Sequence, residues 1–279
     1  MTVKNILTVD LEDWFHICGV GSFIPRESWD SLESRVVENT TKLLDILGRA
    51  KTLATFFVLG SVAEKNPELI RKISGSGHEI ASHGYAHRRV YTITPDLFRD
   101  DLRKSAEILT GITGERVKGY RAPEWSIRDG SMWALDILLE EGFQYDSSMA
   151  PLPIIGNSNY PAIPWKHRLS GGEMWEIPPL VGVTRLISLP FGGGWGLRVF
   201  PYSLIRSAII KNNRQGMQSV IFLHPREFDI NCPRVRLPLI KWFVLNASLE
   251  STEKRLERLL DDFELTTAAD FISGRQAKT

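Results

Sequence analysis

Ile6-Leu7-Thr8-Val9-Asp10, followed at once by Leu11-Glu12-Asp13, is the stretch on which the fold turns. Its β-branched and aliphatic residues read as a buried strand, and that strand ends abruptly in acid. Three neighbouring carboxylates repel one another unless a cation offsets them, so they point to a cleft rather than a core. Working outward, apolar Leu32, Val36, Val37, Leu43, Leu44 and Leu47 recur at helical spacing over 31–50, with Asp30 or Ser31 as N-cap and Gly48 near the stop. A second apolar strand follows over 53–59, a helix over 67–73 and a short strand over 79–82. Thr94-Pro95 then caps a helix whose buried face is Leu97, Phe98, Leu102, Ala106 and Leu109. The spacing predicts a strand over 117–121, a helix over 131–141 stopped by Gly142, and a short extended piece over 143–146. From there proline and glycine dominate as far as Pro179, and so long an irregular segment usually has a function. Residues 219–223 form another buried strand, and Leu249, Leu256, Leu259, Leu260 and Phe263 mark a closing helix. Strand and helix units in alternation argue for an α/β fold with parallel strands closing toward a barrel. With no internal repeat, linker or low-complexity tract, residues 1–279 read as a single domain.

Composition narrows the function. The 279 residues are 43% hydrophobic and 24% charged, as in an ordinary globular protein. The 34 basic residues against 33 acidic ones leave a formal charge of +1, without the basic excess that nucleic-acid binding requires. Two cysteines, Cys18 and Cys232, make neither a disulfide framework nor a thiolate zinc site. The early acids Asp10, Glu12 and Asp13 are unlike a secretion signal, and the uncharged run 147–165 is broken by Pro151, Pro153, Gly156, Pro161 and Pro164, so no transmembrane segment is expected. The expected location is cytoplasmic, with any membrane association through partners. Oligomeric state is not legible.

Four features fall at or just past predicted strand ends, where α/β barrels carry catalytic groups. They are Asp10-Leu11-Glu12-Asp13-Trp14, His83-Gly84-Tyr85-Ala86-His87, Gly119-Tyr120-Arg121-Ala122-Pro123 and Leu223-His224-Pro225. His83 and His87 at i and i+4 lie on one face if the segment is a helical turn, and with one acidic residue they make a zinc-type donor set. Such an ion lowers the pKa of its water, Asp10 stands ready to take the proton, Arg121 can hold Asp10 ionised, and His224 is free to act as general acid.

In chain order, TVDLED, TFFVLG, SGHEIASHGYAH, GYRAPEW, FQYDSSM and VIFLHPREF resemble the motifs of the polysaccharide deacetylases, carbohydrate esterase family 4. Gly192–Gly196, Phe200-Pro201-Tyr202 and the C-terminal helix resemble the branch found with exopolysaccharide and glycan-assembly genes, and from about residue 190 they form a family-specific extension. The resemblance implies a distorted (β/α) barrel of about seven strands that hydrolyses N-acetyl groups of amino sugars with a divalent metal, zinc being the first choice. By position, Asp10 is the base, Arg121 its tether, His224 the acid, and His83 and His87 ligands. Asp146 and Trp125 are expected at the substrate, Asp146 as a group that tunes His224, and Trp165 and Trp175 are candidates to join Trp125 in a sugar-stacking wall. A backbone N–H near Pro123-Glu124-Trp125 is the expected oxyanion donor. The sequence departs from the family where two adjacent aspartates are usual. Leu11 takes the second position, and Glu12 and Asp13 both stand as metal candidates.

Plainer readings stand beside these. Arg121 can pair with Glu115 or Glu124, His78 can satisfy backbone groups, and His167 reads as solvated. The glycines 192–196 lack the lysine and hydroxyl of a phosphate loop. Rival functions on the same barrel are hydrolysis of a cyclic amide or ureide, and glycan binding without turnover.

Overall fold

The computed structural model describes residues 3–17, 23–153, 155–183, 188–233 and 235–276; Cys18 lies outside them. In chain order the first half gives β1 (Asn5–Leu11), α1 (Val36–Arg49), β2 (Thr55–Val58), α2 (Gly60–Lys65), α3 (Pro67–Gly75), β3 (Glu79–Ser82), α4 (Pro95–Thr113), β4 (Gly119–Tyr120), α5 (Trp133–Glu140) and β5 (Tyr145–Asp146). The second half adds β6 (Trp165–Leu169), β7 (Gly172–Glu176), β8 (Gly182–Val183), β9 (Ser188–Leu189), α6 (Gly194–Val199), α7 (Tyr202–Arg214), β10 (Val220–Leu223), α8 (Leu239–Asn246), α9 (Thr252–Asp262), β11 (Leu265–Thr266) and α10 (Ala268–Gln276).

The main sheet runs β10-β1-β2-β3-β4-β5-β7-β6, parallel from β10 through β7, with β6 antiparallel on β7 and β11 beside β1. It curls into an open barrel. The gap between β7 and β10 is bridged by backbone: Leu180 N–H donates to Val220 O (2.9 Å), Gly192 N–H to Leu180 O (2.7 Å) and Phe222 N–H to Gly192 O (2.8 Å). Alternation along β1 decides what faces where. Leu7, Val9 and Leu11 join Phe56 and Val58 under Leu43, Leu47, Ile70 and Ile73 of the surrounding helices. Ile6 instead packs inside with Phe57, Tyr145 and Ile177, against Phe271 and Ile272 of α10.

Register brings the strand ends to one rim. Asp10 stands opposite Phe57, Ser82 opposite Tyr120, Tyr120 opposite Asp146, and Asp146 opposite Glu176, while Val9 is level with Leu223. Residues just past these ends, Glu12, His83, Arg121 and His224, therefore meet at one mouth. The β6–β7 hairpin falls within the segment read as irregular; Ser170-Gly171 at its turn and the two flanking tryptophans were its signal, masked by the prolines before it. Among the described residues, no helix is long and apolar enough to cross a membrane, and Cys232 is a buried free thiol.

Candidate active site

Glu12 follows directly on β1, where its N–H turns back onto Asp10 O (3.0 Å) and ends the strand. Its carboxylate is buried, and its Oε2 lies 2.8 Å from His87 Nε2 and 3.7 Å from His83 Nε2. Among the described residues, Glu12, His83 and His87 are the trio whose ligating atoms all lie within 4.8 Å of one another. Burial pulls the Glu12 carboxyl up, but the imidazoles of His87 and His83, with His224, outweigh it and hold the group well below the usual carboxylate range. His83 Nδ1–H donates to Arg121 O (2.7 Å), which leaves Nε2 as the free lone pair. One carboxylate oxygen and two imidazole nitrogens, buried and convergent, fit a divalent ion of the zinc type.

The histidines are not on a helical turn, as the i, i+4 spacing suggested. They sit in the loop after β3, which Gly84 (φ 74°) and His87 (φ 51°) bend through left-handed backbone. Asp101 of α4 holds that loop by accepting from Tyr85 N–H (2.6 Å) and Ala86 N–H (3.2 Å).

Of the two acidic candidates, Asp13 turns away from the imidazoles. Its oxygens accept from Ser34 Oγ–H (2.5 Å), Trp14 N–H (2.9 Å) and Arg35 N–H (3.2 Å), so it caps the start of α1 from outside that helix. Burial raises its carboxyl despite these donors. This remote cap is also why α1 begins at Val36, later than the Asp30 or Ser31 cap expected from the sequence.

Arg121 is 1% exposed and fully engaged. It donates to Asp10 Oδ1 (2.5 Å), Thr8 Oγ1 (3.0 Å), Ser147 O (3.1 Å) and Ser147 Oγ (2.8 Å), and its guanidinium lies over the Phe57 and Trp125 rings. It pairs with neither Glu115 nor Glu124 as a surface ion. With Oδ1 of Asp10 so held, Oδ2 lies 3.8 Å from His224 Nε2. His224 Nε2 is also 3.8 Å from Glu12 Oε1, and its Nδ1 is 3.5 Å from Glu227 Oε1. Burial opposes charging of this imidazole, but Glu227, Glu12 and Asp10 prevail and raise its pKa to about 9.

Glu227 was missed by the sequence reading, although it lies within VIFLHPREF. A carboxylate three residues after a histidine reads as a solvated charge until the fold buries it. It fits because residue 194 is glycine: a Cβ there would lie 1.6 Å from Glu227 Oε2. His16, also missed, stacks beside His87 at 5.6 Å between ring centroids and accepts Asp13 N–H on Nδ1 (2.9 Å). Burial and the neighbouring His87 push its pKa down to about 3, so it is neutral.

Asp10, Glu12, His83, His87, Trp125 and His224 line one cavity of about 230 Å³, which Trp195 and Phe222 also line. The expected three-tryptophan wall is not there. Trp165 packs on the core beside His167, and Trp175 stacks on Phe271 at 5.3 Å. Trp195, not singled out from the sequence, stands at the cavity instead. Asp146 neither lines the cavity nor reaches His224. It is buried against Glu176, and Ser148 Oγ–H donates to it (2.5 Å). Burial and the Glu176 charge raise its carboxyl well above the ordinary range. His167, read as solvated, is largely buried, 3.6 Å from Glu176, whereas His78 accepts Ala54 N–H (3.1 Å) in the backbone-satisfying role expected of it. At the expected oxyanion donor, Glu124 and Trp125 both have positive φ, and Trp125 N–H is spent on Ala122 O (3.2 Å).

Residues 28–138 match the polysaccharide deacetylase family, and residues 147–273 match a domain of unknown function, DUF3473. The chain is similar to a peptidoglycan-N-acetylglucosamine deacetylase of Bacillus cereus, at 30% identity over 50% of this chain and 54% of that protein. It is also similar to a peptidoglycan deacetylase of Helicobacter pylori, at 34% identity over 52% and 50%. The chain spans about half the length of these curated relatives. Enzymes so named are hydrolases of amide C–N bonds. In fold it resembles the crystal structure of a polysaccharide deacetylase, itself assigned as putative, from Mycobacterium smegmatis, with a TM-score of 0.64 at 20% identity over 98% and 91% of the two chains. Residues 28–138 thus match the polysaccharide deacetylase family, and the curled sheet has the fold of a polysaccharide deacetylase structure.

Proposed function

We propose that this protein removes N-acetyl groups from an amino sugar of a polysaccharide or glycan precursor by metal-dependent amide hydrolysis. One observation carries the reading: a tethered carboxylate, an imidazole beside it and a three-donor ligand set open into the same cavity. A binding module has no use for all of them.

Glu12, His83 and His87 would hold the ion, with zinc the first choice. When bound, such an ion supplies Lewis acidity to the acetyl carbonyl and an acidified water. Asp10 Oδ2 takes the proton of the attacking water, while Arg121 orients Asp10 through Oδ1. As the new C–O bond forms and the C–N bond breaks, His224 gives its proton to the departing nitrogen, so that acetate and a free amine leave. Its raised pKa keeps that proton available at neutral pH. Trp125 and Trp195 supply aromatic faces for the sugar ring.

The test is acetate release from N-acetylated glucosamine oligomers with metal analysis alongside. Asp10→Asn and His224→Ala are each expected to lower turnover at least about a hundredfold with the ion retained. His83→Ala/His87→Ala loses ion and activity together. Full turnover in either single variant, or ureide hydrolysis without metal, overturns this assignment.

A further inference from the structure

Helix α8 buries none of its eight residues, although its sequence is Leu239-Ile240-Lys241-Trp242-Phe243-Val244-Leu245-Asn246. Leu239 is 85% and Ile240 80% exposed, and Trp242 and Phe243 are exposed with them. A contiguous apolar patch of this kind marks an interaction surface, whereas single exposed leucines do not. The helix is held by its backbone. Buried Arg198 donates to the carbonyls of Val244 and Ala247, and buried Arg226 to that of Leu245 (2.9 Å), at the helix end where cations are favourable. The fold thus fixes α8 through these backbone contacts and through Leu245, packed on the Trp14–Phe15 cluster, while leaving Leu239, Ile240, Trp242 and Phe243 outside.

Beside this face the charge is basic. Lys241 Nζ lies 5.0 Å over the ring of exposed Phe23. Arg26, Arg88 and Lys241 line a cleft that reaches His87, where Arg89 is paired with the carboxylate of Glu124 (2.8 Å). On the other side, Val244 and Leu245 line the catalytic cavity. We propose that α8 and this basic rim dock the protein on a membrane surface containing anionic lipids, with the mouth of the cavity against the bilayer. Apolar side chains enter the acyl boundary, Trp242 sits at headgroup level, and Arg26, Arg88 and Lys241 meet lipid phosphates. A second copy fits this face poorly. Eight helical residues span about 12 Å, too little for the roughly 800 Å² per partner of a stable dimer. A two-fold contact would also set these cations against their own copies.

The test is co-sedimentation of the full chain with vesicles of phosphatidylcholine alone and of phosphatidylcholine mixed with phosphatidylglycerol. The wild type is expected to bind the mixed vesicles, at least tenfold more weakly without the anionic lipid or at high salt. Leu239→Ser/Ile240→Ser and Arg26→Glu/Arg88→Glu each lower binding at least tenfold. Leu239 and Ile240 project into solvent away from the cavity, so the first variant keeps its circular dichroism and its acetate release from soluble oligomers. Absence of binding at every lipid composition, or binding unchanged in Leu239→Ser/Ile240→Ser, overturns the proposal. So does a wild-type dimer that this variant turns into a monomer, because the face then belongs to a second copy. Vesicle binding needs no turnover, so failure here is separable from failure of the deacetylase assignment.

Discussion

Arg121 is the residue around which the proposed chemistry is arranged, because its hydrogen bonds fix Asp10 from one side and its carbonyl fixes His83 from the other. Glu227 does for His224 what Arg121 does for Asp10. Glu227→Gln is therefore expected to lower kcat about 10–100-fold with KM little changed, which steady-state kinetics will show. A second buried carboxylate pair is linked to stability. Burial raises Glu176 from 4.5 to about 7, outweighing its hydrogen bonds to Asp146, Met149 and Ser148. The folded chain holds a proton there that the unfolded chain releases near its ordinary pKa, so folding is favoured at low pH and loses this contribution as pH rises through about 7. Thermal melts from about pH 5 to pH 8 should show a falling midpoint, and Glu176→Gln should flatten that fall by a few degrees. The residue types at the site were legible because donors, bases and acids are named by the sequence. Their pairings were not: Asp13 and Asp146 looked like site residues, and their contacts proved to be a helix cap and a buried carboxylate partner.

At the scale of elements, strand runs were read well and their lengths less so. The expected strand over 53–59 is Thr55–Val58, and that over 117–121 is Gly119–Tyr120, since neighbouring pairing decides where a strand stops. The loop after β3 shows what spacing alone cannot convey. Two histidines four apart suggested a helical turn, yet Gly84 and His87 take left-handed backbone, and α4 reaches across to hold the loop through Asp101. Asp101→Ala leaves two loop N–H groups without their acceptor. It is expected to weaken metal affinity about tenfold, as isothermal titration calorimetry will measure, with the thermal midpoint lowered by a few degrees. Helix α8 is the opposite case: the sequence analysis does not single it out, and only the fold shows its Leu239 and Ile240 outside.

Across the whole molecule, the stretch that matches the deacetylase family ends at residue 138, yet His224 and Glu227 come from the region matching DUF3473. That region also supplies β10 and β11, which pair with β1, and β7, which pairs with β5. We read the two regions as one folding unit. A chain cut after residue 146 leaves the buried β1 without partners on one side, and it is expected to show no cooperative thermal transition by circular dichroism. A cooperative melt of that fragment would instead mark two units. By itself, the sequence determined the alternating strands and helices, the parallel sheet and the residue types that gather at the candidate site. Apolar periodicity and side-chain chemistry are local properties, readable residue by residue. Only the tertiary structure decided that Glu12 and not Asp13 faces the imidazoles, that Glu227 backs His224, and that α8 lies exposed beside the cavity. Each of these depends on register, on the direction a chain takes after its strand ends, and on contacts between segments far apart in the chain.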